Sequence, residues 1–313
     1  MDLRGRTILV TGGGGFLGSH LCETLLERGA RVKTIDNFTS GRTSNLAGIV
    51  KRLELIDGSI ADEQKVKEAY QGVDAVVHAA FPMALRQRSL ETGAVTDAMA
   101  GLFNLLKGSV KNRSLFIYIS SIAVYGEQKY IPIDEKHPLE PVLLYGAVKL
   151  SGEHFCSSMA RSHGLKAAVL RVADIYGPKN TRINLPVQFL LDALNGRPLK
   201  IFGSGRQSRT YTYIDDYLKA VCAALAAPAA AGQIFNISSG RAVSVHDLAI
   251  LAKNISGGKV EITFEKGETD DRQLIIDNSL SRQVLNLGEP VGLEEGLSAT
   301  WDWLRNNPHF YEI

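Results

Sequence analysis

Apolar residues in the first 180 positions fall into short runs separated by longer segments where they recur every third or fourth residue. The runs at 7–11, 31–35, 53–56, 73–78, 115–120 and 167–172 read as buried strands. The segments 62–71, 95–110 and 145–162 read as amphipathic helices between them. Strands separated by helices imply a parallel sheet with right-handed crossovers. After about residue 180 the texture changes. A helix over 186–195 leads into strand 199–202, a glycine turn, strand 210–214 and helix 215–226. Strand 234–237, a helix begun by Ser244 and the alternating segment 259–264 follow. The expected architecture is α/β: a Rossmann doubly wound parallel sheet over 1–180, with a smaller α/β substrate lobe over 181–313 interleaved with it.

The turn after the first strand carries chemistry. Gly12, Gly15 and Gly18 are spaced three apart, directly after Ile8-Leu9-Val10-Thr11. Gly12 permits the tight turn and Gly15 lets backbone approach a pyrophosphate. Gly18 lets the next helix pack closely, with its N-terminus facing the negative charge. Leu17, Leu21 and Leu25 form the helix's core stripe, and Gly29 stops it. The second strand ends in Asp36, where a carboxylate accepts hydrogen bonds from the adenosine ribose and repels a 2′-phosphate. This favours NAD over NADP, with Arg42 nearby as the opposing signal.

Composition narrows the class. The net charge is +2 with both signs mixed along the chain, so nucleic acid and anionic membrane are not expected partners. No apolar run reaches the ~20 residues of a bilayer span. Met1 to Gly5 enters a strand without a secretory apolar region, which points to the cytoplasm. Cys22, Cys156 and Cys222 are far apart in helical patterns and read as buried thiols of a reducing compartment. No His or Cys stands at metal-ligand spacing. His78 ends a strand near the expected cofactor and reads as a packed structural residue.

A second constellation lies downstream. Ser121 ends the strand Tyr118-Ile119-Ser120-Ser121. Tyr145 and Lys149, four apart on one helical face, follow it. A phenol with a reference pKa near ~10 is a poor base at neutral pH. A nearby ammonium and a positive nicotinamide ring favour phenolate and make it a workable general base. Ser121 can hydrogen-bond the same substrate oxygen.

With these motifs the chain resembles the extended short-chain dehydrogenase/reductase family, in its nucleotide-sugar epimerase and dehydratase group. The marks run nearly end to end: Thr11 to Gly18, Asp36 to Gly41, His78-Ala79-Ala80, Ser120 to Gly126, Tyr145 to Lys149, Arg171 to Pro178, Gly203 to Arg209 and Tyr213 to Asp216. The resemblance implies that Tyr145 is the base, Lys149 binds the nicotinamide ribose and Ser121 is the hydroxyl partner. It places Gly12, Gly15, Phe16, Leu17, Gly18, Asp36, Asn37, Ala79, Ala80 and, besides its role as base, Tyr145 on the cofactor. Ser59-Ile60 stands where the family usually has Asp-Ile beside adenine. Asp174, Asn184, Leu185, Arg209 and Arg272 fall at positions around the substrate pyrophosphate. A homodimer is also implied, through the helix near 95–110 and the helix carrying Tyr145, with Leu102, Leu105, Leu106, Leu150 and Phe155 as apolar surface.

Departures from the family pattern separate its branches. Dehydratases resemble Thr-Asp-Glu-Val-Tyr-Gly where this chain has Ser121-Ile122-Ala123-Val124-Tyr125-Gly126, and decarboxylases carry a glutamate at the place of Ala123. Neither Ile122 nor Ala123 can act as acid or base. Asp174 and Ala98 each replace an asparagine. The leading expectation is an NAD-dependent nucleotide-diphosphate-sugar 4-epimerase, with UDP preferred by analogy. The alternatives are a dehydratase, decarboxylase or ketoreductase, for which Arg86 and Arg88 would bind a uronate, and a catalytically silent NAD-binding regulatory protein. For Arg209 the competing role is an ion pair with Asp215 or Asp216.

Overall fold

The computed structural model describes residues 2–87, 92–267 and 272–311. Along the chain the strands are β1 (Thr7–Thr11), β2 (Arg31–Asp36), β3 (Glu54–Asp57), β4 (Ala75–His78), β5 (Leu115–Ser121), β6 (Ala167–Val172) and β7 (Asp174–Tyr176), then β8 (Leu199–Phe202), β9 (Ser208–Tyr213), β10 (Ile234–Ile237), β11 (Ala242–Ser244), β12 (Ile262–Glu265) and β13 (Gln273–Leu274). The helices are α1 (Phe16–Glu27), α2 (Glu63–Ala69), α3 (Thr92–Asn112), α4 (Leu144–His163), α5 (Leu185–Leu194), α6 (Ile214–Ala226), α7 (Val245–Ile255), α8 (Ser279–Val284) and α9 (Leu293–Asn306).

A seven-stranded sheet, parallel throughout, has the order β10-β6-β5-β4-β1-β2-β3. Winding reverses between β1 and β4, which opens a crevice at their carboxyl ends. Residues of β1 alternate between the two faces. Ile8 and Val10 pack with Leu21, Leu25 and Val221, while Leu9 packs with Leu105, Leu106 and Phe116. Both faces of the sheet are therefore covered, as an all-parallel sheet requires.

One expectation needs correction. Leu102, Leu105 and Leu106 are 2%, 0% and 0% exposed, so they serve the core beneath α3 and offer no surface to a partner. Helical periodicity identifies an apolar face but not what it covers, and here it covers the sheet. The aromatic side chains left outside on these helices are Phe103 and Phe155, 50% and 39% exposed. The chain after residue 180 is interleaved with the main sheet. β10 pairs with β6 in the main sheet, and α6 packs against β5, β6 and β10. The remaining strands form small sheets in which β9 pairs with β11, β13 and β7, and β12 pairs with β8.

Candidate active site

A cleft of about 880 Å³ runs along the carboxyl ends of the central strands. Thirteen of the sequence-predicted residues line it: Gly12, Gly15, Phe16, Leu17, Gly18, Asp36, Asn37, Ser59, Ile60, Ala79, Ala80, Ser121 and Asp174. The glycine turn is built by steric necessity. Gly12 has φ +77°, and a Cβ on it would lie 2.8 Å from Ala80 Cα. A Cβ on Gly18 would lie 2.0 Å from the Gly12 carbonyl oxygen. The side-chain direction of Gly15 meets only that same oxygen, at 3.2 Å, so this face opens into the cleft. Gly15 is the N-cap of α1, which has no side-chain cap and no acidic residue in its first turn. The helix therefore presents a positive end to the cleft.

Asp36 is 9% exposed at the end of β2. Its Oδ2 accepts from the Gly14 amide at 2.8 Å and its Oδ1 from the Phe38 amide at 2.8 Å, which fixes the carboxylate in the cleft wall. The guanidinium of Arg42 is engaged elsewhere: Nη1 donates to the Phe310 carbonyl at 2.9 Å. Ser59 Oγ accepts from the Ala61 amide at 3.1 Å, and the Ile60 and Ala61 carbonyls are held by Asn104 Nδ2. His78 is buried, with Nδ1 2.8 Å from Thr11 Oγ1, and that hydroxyl accepts from the Ala80 amide at 3.1 Å. Burial, with the Lys149 charge adding to it, pushes the imidazole down to about 3. His78 is thus a neutral packing residue that pins the Ala79-Ala80 turn.

The elements that carry the hydroxyl, phenol and ammonium are brought together by close approach of α4 to β5 and to the turn that follows it. Ser121 caps the short turn Ile122–Val124, its Oγ accepting from the Ala123 amide at 3.2 Å. Gly146 abuts this turn, and a Cβ there would sit 2.4 Å from the Ala123 carbonyl oxygen. Further along α4, Glu153 forms a buried ion pair with Arg171 of β6 at 2.6 Å and accepts from the Ser120 hydroxyl, which locks the helix onto the sheet. Tyr145 is 6% exposed and Lys149 2%. Lys149 Nζ donates to the Ile119 carbonyl at 2.7 Å and lies 4.3 Å from the Phe81 ring and 5.2 Å from the Tyr118 ring. Phe81 also meets Tyr145 edge to face at 5.0 Å. Tyr145 and Lys149 do not line the cleft themselves; Phe81, Ser121 and Val148 form its wall in front of them. Ala98, 8% exposed, packs with Val148 and Leu85.

The lobe side is looser. Asn184 caps nothing with its side chain; its Nδ2 donates to the Ile175 carbonyl at 3.0 Å and its Oδ1 accepts from Asn180. Leu185 opens α5. Arg209 pairs with Asp174, at 3.7 Å, across the β7–β9 pairing, and not with Asp215 or Asp216. Arg272 is brought to the same strand, its carbonyl accepting from the Ser208 amide at 3.0 Å. None of Asn184, Leu185, Arg209 and Arg272 lines the main cleft. Arg88, and the side chain of Arg86, lie outside the described residues.

Sequence reasoning passed over Phe81, Asp97, Asn180 and Arg182, all of which line the cleft. Phe81 was within reach of the same rule that found His78, since both stand at the carboxyl end of β4.

A family model for the NAD dependent epimerase/dehydratase family matches residues 8–238. The crystal structure of UDP-glucose 4-epimerase from Thermotoga maritima with UDP-glucose is similar at a TM-score of 0.88. It has 31% sequence identity and covers 96% of this chain and 99% of that one. UDP-glucuronic acid 4-epimerase from Bacillus cereus, in complex with UDP-glucuronic acid and NAD, is similar at a TM-score of 0.87, with 30% identity and the same coverages. The dTDP-glucose 4,6-dehydratase of Streptomyces niveus is 29% identical over 320 residues, 97% of this chain and 94% of that protein. The glycine turn, the fixed carboxylate of Asp36 and the Ser121, Tyr145 and Lys149 cluster thus sit in a chain that belongs to the NAD-dependent epimerase/dehydratase family.

Proposed function

We propose that the protein is an NAD-dependent nucleotide-diphosphate-sugar 4-epimerase, with a UDP-sugar as substrate, working through a transient 4-keto sugar. The observation that carries this reading is the Ser121, Tyr145 and Lys149 cluster beside a turn, Ile122–Val124, that holds neither acid nor base. A hydroxyl, phenol and ammonium suffice to move one proton on and off an alcohol. Removing water or carbon dioxide from the sugar calls for further groups that Ile122 and Ala123 do not supply. Sequence similarity alone does not choose between these branches, since dehydratases match nearly as well as epimerases.

The residues present fit NAD. The face of Gly15 opens to the cleft, the end of α1 is uncapped, and Asp36 stands fixed in the wall. Gly12, Gly15, Phe16, Leu17 and Gly18 would hold the pyrophosphate, Asp36 and Asn37 the adenosine ribose, and Ser59 and Ile60 the adenine. Ala79, Ala80 and Lys149 would hold the nicotinamide half. When bound, NAD supplies the acceptor and later the donor of one hydride. Tyr145 takes the proton of the 4-hydroxyl, and Ser121 holds the same oxygen. Lys149 keeps a positive charge beside them, its own burial offset by the Ile119 carbonyl and two aromatic faces. The 4-keto sugar then turns within the cleft so that the opposite face of C4 would take the hydride back, and Tyr145 returns the proton to the C4 oxygen.

Residues 1–180 are assigned to the cofactor and the lobe after 180 to the nucleotide sugar, with Arg209 and Arg272 on the phosphates and Asn184 and Leu185 beside the nucleotide. Asp174 serves as the counter-ion of Arg209. The protein works in the cytoplasm, and among the described residues no helix is long and apolar enough to cross a membrane. It forms a homodimer across α3 and α4, where the exposed Phe103 and Phe155 supply the apolar surface.

The test is incubation with a panel of UDP- and dTDP-sugars, without added NAD, followed by NMR. A C4 epimer approached from both directions supports the reading. A 4-keto-6-deoxy product, a pentose product, or no conversion of any substrate refutes it.

A further inference from the structure

Arg42 is held by a segment distant in sequence. Its backbone is fixed, because its amide donates to the Gly14 carbonyl at 2.9 Å and so bolts it to the glycine turn. Its side chain is the part with a choice of direction. Nη1 donates to the Phe310 carbonyl at 2.9 Å, and the guanidinium lies 5.5 Å from the centre of the Phe310 ring. Phe310 belongs to the turn Pro308–Tyr311. That turn is itself anchored, with Phe310 edge to face on Trp303 at 4.8 Å and the Tyr311 hydroxyl donating to the Asn180 carbonyl at 3.0 Å. Both Arg42 and Asn180 line the cleft, so the turn ties its cofactor rim to its substrate rim.

The location of Arg42 gives this contact a consequence. It shares the cleft wall with Asp36, and a Cβ on its neighbour Gly41 would lie 3.0 Å from Asp36 Oδ2. A guanidinium directed into this corner would neutralise Asp36 and offer a fork to a phosphate. Held by Phe310, it does neither, and Asp36 faces the ribose position uncompensated by Arg42.

We infer that the turn Pro308–Tyr311 is a determinant of cofactor choice: it withholds Arg42 from the adenosine 2′-position and so maintains the preference for NAD over NADP. The inference rests on the reading of the cleft as the NAD site. It assigns the specificity to Asp36 together with a contact made about 270 residues away along the chain.

Binding, not turnover, tests it. Protein stripped of nucleotide is titrated with NADH and with NADPH, and the ratio of the two Kd values is compared across variants. In the full chain, Arg42→Ala leaves the ratio within about twofold, because the side chain is already withheld. A chain stopped at residue 307 shifts the ratio toward NADPH by about tenfold, the scale of one charge-assisted contact to phosphate. Arg42→Ala in that shortened chain abolishes the shift. Phe310→Ala, which keeps Tyr311 on Asn180 and the backbone acceptor of Arg42 but removes the ring beside the guanidinium, shows a smaller shift of the same sign and stands in for the truncation if the shortened chain does not fold. An unchanged ratio, a shift that persists without Arg42, or loss of NADPH affinity on Arg42→Ala in the full chain overturns the inference. Equal affinity of the unaltered protein for NADH and NADPH instead refutes the role of Asp36, while the sign of the truncation shift still tests Arg42.

Discussion

A Cβ on Gly18 would sit 2.0 Å from a backbone oxygen, and both oxygens of Asp36 are fixed by backbone amides. On the lobe side the side chain of Arg209 is 51% exposed and lies 3.7 Å from Asp174. The cofactor half is determined by steric necessity and by backbone hydrogen bonds that exist without a ligand. The proposed substrate half offers an exposed guanidinium paired with a half-buried acid, and such a pair contributes little to stability. Preorganisation is therefore unequal. On the proposed reading the dinucleotide would meet a finished surface, and the sugar nucleotide would complete its own. That division suits a reaction in which the cofactor stays in place while the sugar turns.

Tyr145 is the base of the proposed reaction, and its loss has the largest expected effect. Tyr145→Phe should lower kcat by about 10²–10⁴-fold while leaving thermal stability and NAD affinity unchanged, because one hydroxyl is removed from a packed ring. Near-normal kcat would show that another base operates.

On the cofactor side, Gly18→Ala should fail through geometry alone. The added methyl overlaps the Gly12 carbonyl oxygen, so the fold loses about 1–3 kcal/mol by overpacking and NAD affinity falls with it. Denaturant unfolding and nucleotide titration measure both. Wild-type behaviour would mean that the turn is not rigid.

On the substrate side the contrast predicts the reverse. Arg209→Lys should leave the melting temperature and NAD affinity unchanged and raise KM for the sugar nucleotide about tenfold, because an ammonium cannot reproduce a bidentate fork. Lower stability with normal KM would reduce Arg209 to the partner of Asp174 and remove the main support for phosphate binding in the lobe.

The last effect concerns His78, away from the proposed chemistry. In the unfolded chain its imidazole takes up a proton near 6.5, and in the native protein only near about 3. The unfolded state therefore binds more protons between these values, and stability falls as pH drops through that window. His78→Asn, which keeps an acceptor for Thr11, should flatten the fall by up to about 1.4 kcal/mol per pH unit. Urea unfolding between about pH 4 and 7 reads the slope, and an unchanged slope would place the proton uptake elsewhere.

The same division governs how much could be read from the chain. The alternation of Ile8, Leu9 and Val10, the glycine spacing and Asp36 at a strand end are local patterns, and local patterns dictated the cofactor half. Ser121, Tyr145 and Lys149 were legible as types at a spacing. The means of their assembly, Gly146 against the Ala123 carbonyl and Glu153 on Arg171, depends on pairing between β5 and β6 and on packing of α4, which no local pattern encodes. The Asp174–Arg209 pair arises from strands 35 residues apart along the chain. A lone acid is unfavourable at the pyrophosphate position that the family resemblance implies for Asp174, and that pairing supplies its counter-ion. The α3 leucines show the converse limit, since their periodicity was plain but the surface they cover was decided by the sheet.

The central claim is that one hydride leaves C4 and returns to the same carbon while the sugar remains in the cleft. A UDP-sugar carrying deuterium at C4, incubated with the purified protein without added NAD, tests this directly by NMR and mass spectrometry. The account predicts a C4 epimer that retains the label at C4 and acquires none at C5 when the reaction is run in D₂O. Loss of the C4 label to solvent, or transfer of it to C6 with solvent hydrogen entering at C5, would contradict it.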